Sequence, residues 1–97
     1  MKHLTVVATF EARPGKEAEL KQCLLALLAP TRREAGCVNY DLHVASDNPA
    51  KFLFYENWTG KEMLDAHLKS PHLAALLPRV DELCVAFPAI QFWEKLG

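Results

Sequence analysis

Residues 37–59 read CVNYDLHVASDNPAKFLFYENWT. Val38, Tyr40, Leu42 and Val44 alternate with Asn39, Asp41 and His43, and further on Phe52, Phe54, Glu56 and Trp58 alternate with Leu53, Tyr55 and Asn57. Successive side chains of a strand point to opposite faces, so this period of two predicts strands over 37–45 and 51–59. Ser46, Asp47, Asn48 and Pro49 between them are turn formers, which makes the pair a hairpin.

Before the hairpin, residues 3–12, HLTVVATFEA, place Leu4, Val6, Ala8 and Phe10 on one side of a first strand. Arg13-Pro14-Gly15 turns the chain, and Leu20, Cys23/Leu24, Leu27/Leu28 and Thr31 then recur at helical spacing over 16–34. Pro30 falls inside this pattern and predicts a kink or break there, since its ring and missing N–H cost about 3 kcal/mol in a straight helix. Gly36 closes the segment. After the hairpin, Thr59 stands three residues before Glu62, as in a capping box, and opens a helix carrying Met63, Leu64, His67 and Leu68. Ser70-Pro71 restarts the helix over 72–85, with Pro78 interrupting it again, and 87–95 alternates as a last strand. Two strands joined directly, each flanked by a helix and a further strand, make the ferredoxin-like βαββαβ order: an α+β fold whose antiparallel sheet carries its helices on one face. In water the other face should be polar. Val7, Thr9, Leu53, Tyr55 and Trp93 populate it instead, which predicts that a second copy covers it, giving a homodimer of the dimeric α/β barrel type.

The 97 residues are 51% hydrophobic and 24% charged, with a formal net charge of -1, and read as a single domain over 1–97. A domain of this size hides only about 60–70% of its unfolded surface, so association would add burial that the chain alone lacks. No Lys/Arg cluster exceeds Arg32-Arg33, which excludes the electrostatic footprint of a nucleic-acid or anionic-membrane binder. Cys23, Cys37 and Cys84 are odd in number and lack C-x-x-C spacing, so no disulfide framework or zinc motif is expected and a reducing, cytoplasmic setting fits. Glu11 and Arg13 cut the apolar run from Leu4 short for a signal peptide, and no stretch approaches the roughly 20 apolar residues of a membrane span.

The chemistry-bearing residues gather in the hairpin and the helix that follows. Glu56 shares a strand face with Phe52, Phe54 and Trp58, so it points into apolar surroundings that raise a carboxyl pKa. His67 lies on the inward stripe with Met63 and Leu64, and a Glu and a His facing one another there would form a general acid/base pair, Glu56 orienting His67. Both residues also have a structural reading: Glu56 as a buried ion-pair partner, His67 as a satisfied core imidazole. Trp58 and Tyr40 suit packing as well as a substrate platform, and His72, after Pro71, reaches only the edge of such a site. His67 and His72 are five residues apart with Pro71 between them, not the i, i+4 pair that two metal ligands use on one helix, so no metal site is expected. No phosphate loop or nucleophile elbow occurs.

The segments RPGKEAEL (13–20), APTRREAGCVNY (29–40), DNPAKFLFYENW (47–58) and AHLKSPHL (66–73) resemble those of the antibiotic biosynthesis monooxygenase (ABM) domain proteins, particularly the small quinol-monooxygenase-like members. The resemblance runs over nearly the whole chain. It implies a dimeric α/β barrel that needs no flavin, haem or metal cofactor, in which molecular oxygen reacts with a quinol or related dihydroxyaromatic. It further implies His67 as base or proton relay, Glu56 as its partner, and Trp58, Tyr40, Asn39 and His72 around the aromatic substrate. Haem-degrading relatives use a strand Asn, a helix Trp and a helix His; these would fall at Val7, His67 and Leu77, so haem chemistry is not implied. Isomerases of a phosphorylated quorum-sensing sugar derivative share the Tyr-Glu hairpin and the H-x-x-x-P-H pattern, leaving enolisation by the same pair as the alternative. A non-catalytic ligand-binding dimer is the third reading.

Overall fold

A computed structural model describes residues 3–97. Four strands, β1 (Leu4–Glu11), β2 (Cys37–Ala45), β3 (Asn48–Trp58) and β4 (Ala89–Trp93), form one sheet in the order β2-β3-β1-β4. Every neighbouring pair is antiparallel. This is the ferredoxin-like arrangement expected from the alternation. The hairpin is tighter than its four turn formers suggest: β3 already begins at Asn48, Ala45 pairs with Asn48, and the Asn48 side chain accepts a hydrogen bond from the Ala50 amide (2.9 Å). The register sets Leu4, Val6, Ala8 and Phe10 opposite Trp58, Glu56, Phe54 and Phe52, and Tyr40 and Leu42 opposite Glu56 and Phe54. One sheet face therefore carries Val6, Tyr40 and Glu56 in a single row.

The helices α1 (Glu17–Leu25), α2 (Leu28–Arg32), α3 (Lys61–Leu68), α4 (Pro71–Leu76) and α5 (Val80–Leu83), with a 3-10 turn over Leu77–Arg79, cover that face. Leu20, Leu24, Leu27, Leu64, Leu76, Val80 and Leu83 bury against Val6, Ala8, Phe52, Phe54 and Trp58 as one core. The break near Pro30 comes earlier than its position suggests, at Ala26-Leu27. Pro30 thereby becomes the third residue of α2, within the first turn, whose N–H groups have no intrahelical acceptor in any case. The capping box at Thr59 does not form. Gly60 is the N-cap of α3, without a side-chain cap, because the Thr59 amide donates to the Gly36 carbonyl instead (2.9 Å). Ser70 caps α4 as expected, its Oγ accepting from the Leu73 amide (3.4 Å) with Pro71 at the first helical position.

The open face departs from the expected apolar surface. Along one end runs a polar chain: Thr5 Oγ1 donates to Asn57 Oδ1 (2.6 Å), Asn57 Nδ2 to Asn39 Oδ1 (2.9 Å) and Asn39 Nδ2 to Asp41 Oδ2 (3.0 Å). Tyr55 and Trp93 on this face are about half exposed, while Val7 and Leu53 are half-buried. β4 is exposed on both sides, because the helices stop short of Ile90 and Phe92 as well.

Gly36 fastens the two halves of the helical layer. Its φ of +82° lies in the left-handed region, and a Cβ there would run into the Met63 side chain and Thr59 Oγ1. Gly36→Ala is therefore expected to lower unfolding free energy by about 2–4 kcal/mol, from backbone strain and overpacking together. Urea denaturation checks this, and an unchanged midpoint would refute the close approach.

Candidate active site

Three segments deliver the site. β3 offers Glu56 and Trp58 on the helix-covered face, and β2 sets Tyr40 directly beside Glu56. α3 lays His67 over them, its ring 4.7 Å from that of Trp58 and 5.3 Å from that of Tyr40 between centroids. Tyr40 in turn stacks on Phe54 at 4.4 Å. The chain then turns at Ser70-Pro71, and this corner swings His72 back until its ring centroid is 5.9 Å from that of His67. The third segment is the loop after α2. Its backbone is held by Glu34 N–H to Thr31 O (3.0 Å) and Cys37 N–H to Glu34 O (3.2 Å). The Glu34 carboxylate meets both imidazoles through one oxygen: Oε2 lies 2.8 Å from His67 Nδ1 and 2.7 Å from His72 Nε2.

An ionised carboxylate only accepts hydrogen bonds, so each facing nitrogen carries its proton. In neutral His67 the proton is then on Nδ1 and the lone pair on Nε2, at the ring edge turned away from Glu34. Burial holds the His67 pKa below its usual value, against the raising effect of Glu34, so the imidazole is neutral at pH 7. His67 is almost wholly enclosed, its side chain 3% exposed, whereas Glu34 and His72 are each 17% exposed. Solvent reaches the cluster from their side. A buried neutral imidazole aligned by a carboxylate, with aromatic rings on its flanks, can take a proton from a hydroxyl or an activated C–H group.

Glu56 is also inside, and burial pushes its carboxyl up to about 7. The hydrogen bond from Trp58 Nε1 to Glu56 Oε1 (2.9 Å) works in the opposite direction, and Glu34 adds a smaller raising effect. The expected Glu56–His67 hydrogen bond is absent among the described residues: Glu56 is held by Trp58, and Glu34 has taken the orienting position. Tyr40 is buried and its hydroxyl stays protonated, through burial first and the Glu56 charge second. Asn39 is not with them. Adjacent residues of a strand face opposite ways, and Asn39 lies across the sheet from His67, its amide donating to Asp41 and the Tyr55 carbonyl (3.1 Å). His72, expected only at the edge, belongs to the cluster. A five-residue spacing separates His72 from His67 only along one continuous helix, and the Ser70-Pro71 corner breaks that helix.

Glu34 lies outside the hairpin and helix residues from which the site is predicted. A signal was present: a carboxylate just past the end of a helix faces the unfavourable pole of the helix dipole, so it needs donors from elsewhere.

Glu56 makes stability depend on pH. Its folded-state pKa of about 7 exceeds the ordinary 4.5, so the unfolded chain ionises first as pH rises. Its contribution is complete below pH 4.5 and is lost between there and about pH 7, at up to about 1.4 kcal/mol per pH unit. Its titratable neighbours are Glu34 and Tyr40, with His67 above it. In Glu56→Gln the amide oxygen still accepts from Trp58, so the variant should be more stable than wild type at pH 8, by about 2–3 kcal/mol, and about equal to it at pH 4.5. Parallel thermal melts across this range would disprove the burial effect.

Known proteins share this architecture. The family model described as antibiotic biosynthesis monooxygenase matches residues 3–79. "Putative monooxygenase Rv0793" of Mycobacterium tuberculosis is 35% identical, the match covering 82% of this chain and 78% of that protein. "Probable quinol monooxygenase YgiN" of Escherichia coli is 33% identical over 74% of this chain and 79% of its own. The crystal structure of PA3566 from Pseudomonas aeruginosa superposes with a TM-score of 0.95 at 32% identity, covering 100% of this chain and 97% of that one. With the fold, the matched segments and these relatives in agreement, the chain belongs to the antibiotic biosynthesis monooxygenase family.

Proposed function

We propose that this protein is a monooxygenase that oxidises a quinol or related dihydroxyaromatic with molecular oxygen, with no cofactor beyond its own side chains. The observation that supports it most is the enclosed neutral His67, held by Glu34 through Nδ1 and flanked by Trp58 and Tyr40. His67 Nε2 takes a proton from a ring hydroxyl, and the Glu34 carboxylate stabilises the imidazolium that results. The aromatic anion, kept from water, is then electron-rich enough to reduce oxygen. In balance, a quinol and O2 give a hydroxyquinone and water: one oxygen atom enters the ring, the other leaves as water, and the substrate supplies all four electrons. Trp58, Tyr40 and His72 border the substrate. Glu56, with its pKa near neutrality, serves as a proton reservoir behind Trp58.

The test is oxygen uptake with reduced menadione and chelator-treated protein, after subtraction of spontaneous oxidation. His67→Ala should lower the rate by about 10²–10⁴-fold, the usual worth of a positioned general base. Glu34→Gln should lower it less, since an amide still orients the ring but stabilises the imidazolium poorly. Equal rates in wild type and His67→Ala would remove the assignment.

We further propose that the chain forms one domain that works as a homodimer in the cytoplasm. Support comes from Tyr55 and Trp93 on the open face, from Phe87, Ile90 and Phe92 left exposed, and from three unpaired cysteines. Among the described residues no helix is long and apolar enough to cross a membrane. Sedimentation should show a two-chain particle, and Trp93→Asp should shift it toward one chain; a monomeric wild type would end this reading.

A further inference from the structure

We propose that Glu34, His67 and His72 form a site for a divalent transition-metal ion of the zinc type, and that its occupancy switches off the base. Their ligand atoms all lie within 4.8 Å of one another, contributed by the loop after α2, by α3 and by α4. Two imidazole nitrogens and a carboxylate oxygen are a donor set that zinc accepts, with bonds of about 2.0–2.2 Å. A tetrahedral ion of that size separates its ligands by about 3.3 Å. The present contacts of Glu34 Oε2, 2.8 Å to His67 Nδ1 and 2.7 Å to His72 Nε2, open by about half an ångström, and the two imidazole nitrogens, now within 4.8 Å of one another, close toward the same separation. The Ser70-Pro71 corner supplies the third ligand, His72, and the exposed edges of Glu34 and His72 give an ion its way in and leave a fourth position for water.

The consequence for the base rests on the function proposed above. With Glu34 as partner, His67 carries its proton on Nδ1 and presents the Nε2 lone pair. A metal on Nδ1 forces the proton of the neutral ring to Nε2, which then donates and cannot accept. The ion and the substrate proton compete for opposite edges of one ring.

Calorimetric titration of the metal-free protein with zinc chloride should show one equivalent bound per chain, and cobalt(II) should develop the visible absorption of a four-coordinate site. The affinity should fall at least tenfold in Glu34→Gln and in His72→Ala, and stay within twofold in His43→Ala. In wild-type protein, zinc should move the ring resonances of His67 and His72, an outcome that no folding defect in a variant can obscure. Absence of saturable binding, or shifts confined to His3 and His43, would overturn the site. Zinc should also abolish oxygen uptake with reduced menadione, and a chelator restore it. Undiminished or raised uptake with zinc bound would refute the switch while leaving the site. No uptake in either state, with binding intact, would count against the proposed oxygenase alone.

Discussion

One carboxylate oxygen that receives two imidazoles ties three segments of this molecule together. Glu34, His67 and His72 come from separate segments, and their meeting requires the loop after α2 to touch the start of α3 and the corner before α4 to fold back. Gly36 permits the first, because only a residue without a Cβ fits against Met63 and Thr59 at that backbone angle. Ser70 and Pro71 produce the second, a capped restart that turns the chain instead of continuing α3. The two N–H donors in return offset the placement of a carboxylate near a helix C-terminus.

The row Tyr40, Glu56, His67 is costly. Each is nearly inaccessible, and an apolar trio would fold more stably than polar groups whose ionisation burial disfavours. The opposed shifts, a carboxyl pushed up to about 7 and an imidazole pushed down, both come first from burial, which disfavours the charged form of each group. Compensation comes from the surrounding leucines, Leu20, Leu24, Leu64 and Leu83, and from Trp58 and Phe54, all essentially without exposure. The ion pairs that tie Arg79 to Glu19 and Glu82 lie on the surface and add little to that balance.

The hairpin was legible because alternation is a local property: Tyr40 and Glu56 fall on the core face by parity alone, whatever the rest of the chain does. The same parity places Asn39 on the other face, so family resemblance and strand geometry disagree at that residue, and geometry wins. Pro30 marked a break correctly in kind, but the break settles where the proline costs least, a choice that depends on the whole helix. Thr59 met the local requirement for a cap and lost it to a backbone partner, Gly36, more than twenty residues away.

Local pattern alone is enough for the element order, the antiparallel sheet with its one-sided helical layer, and the inward placement of Glu56 and His67, since each follows from periodicity within a few residues. Which carboxylate holds His67 depends instead on how distant segments pack. That choice turns on the corner at Ser70-Pro71 and on the close approach at Gly36, which bring together groups 33 and 38 residues apart. No local pattern encodes such a meeting, because its energy is realised only when all three segments are already in place.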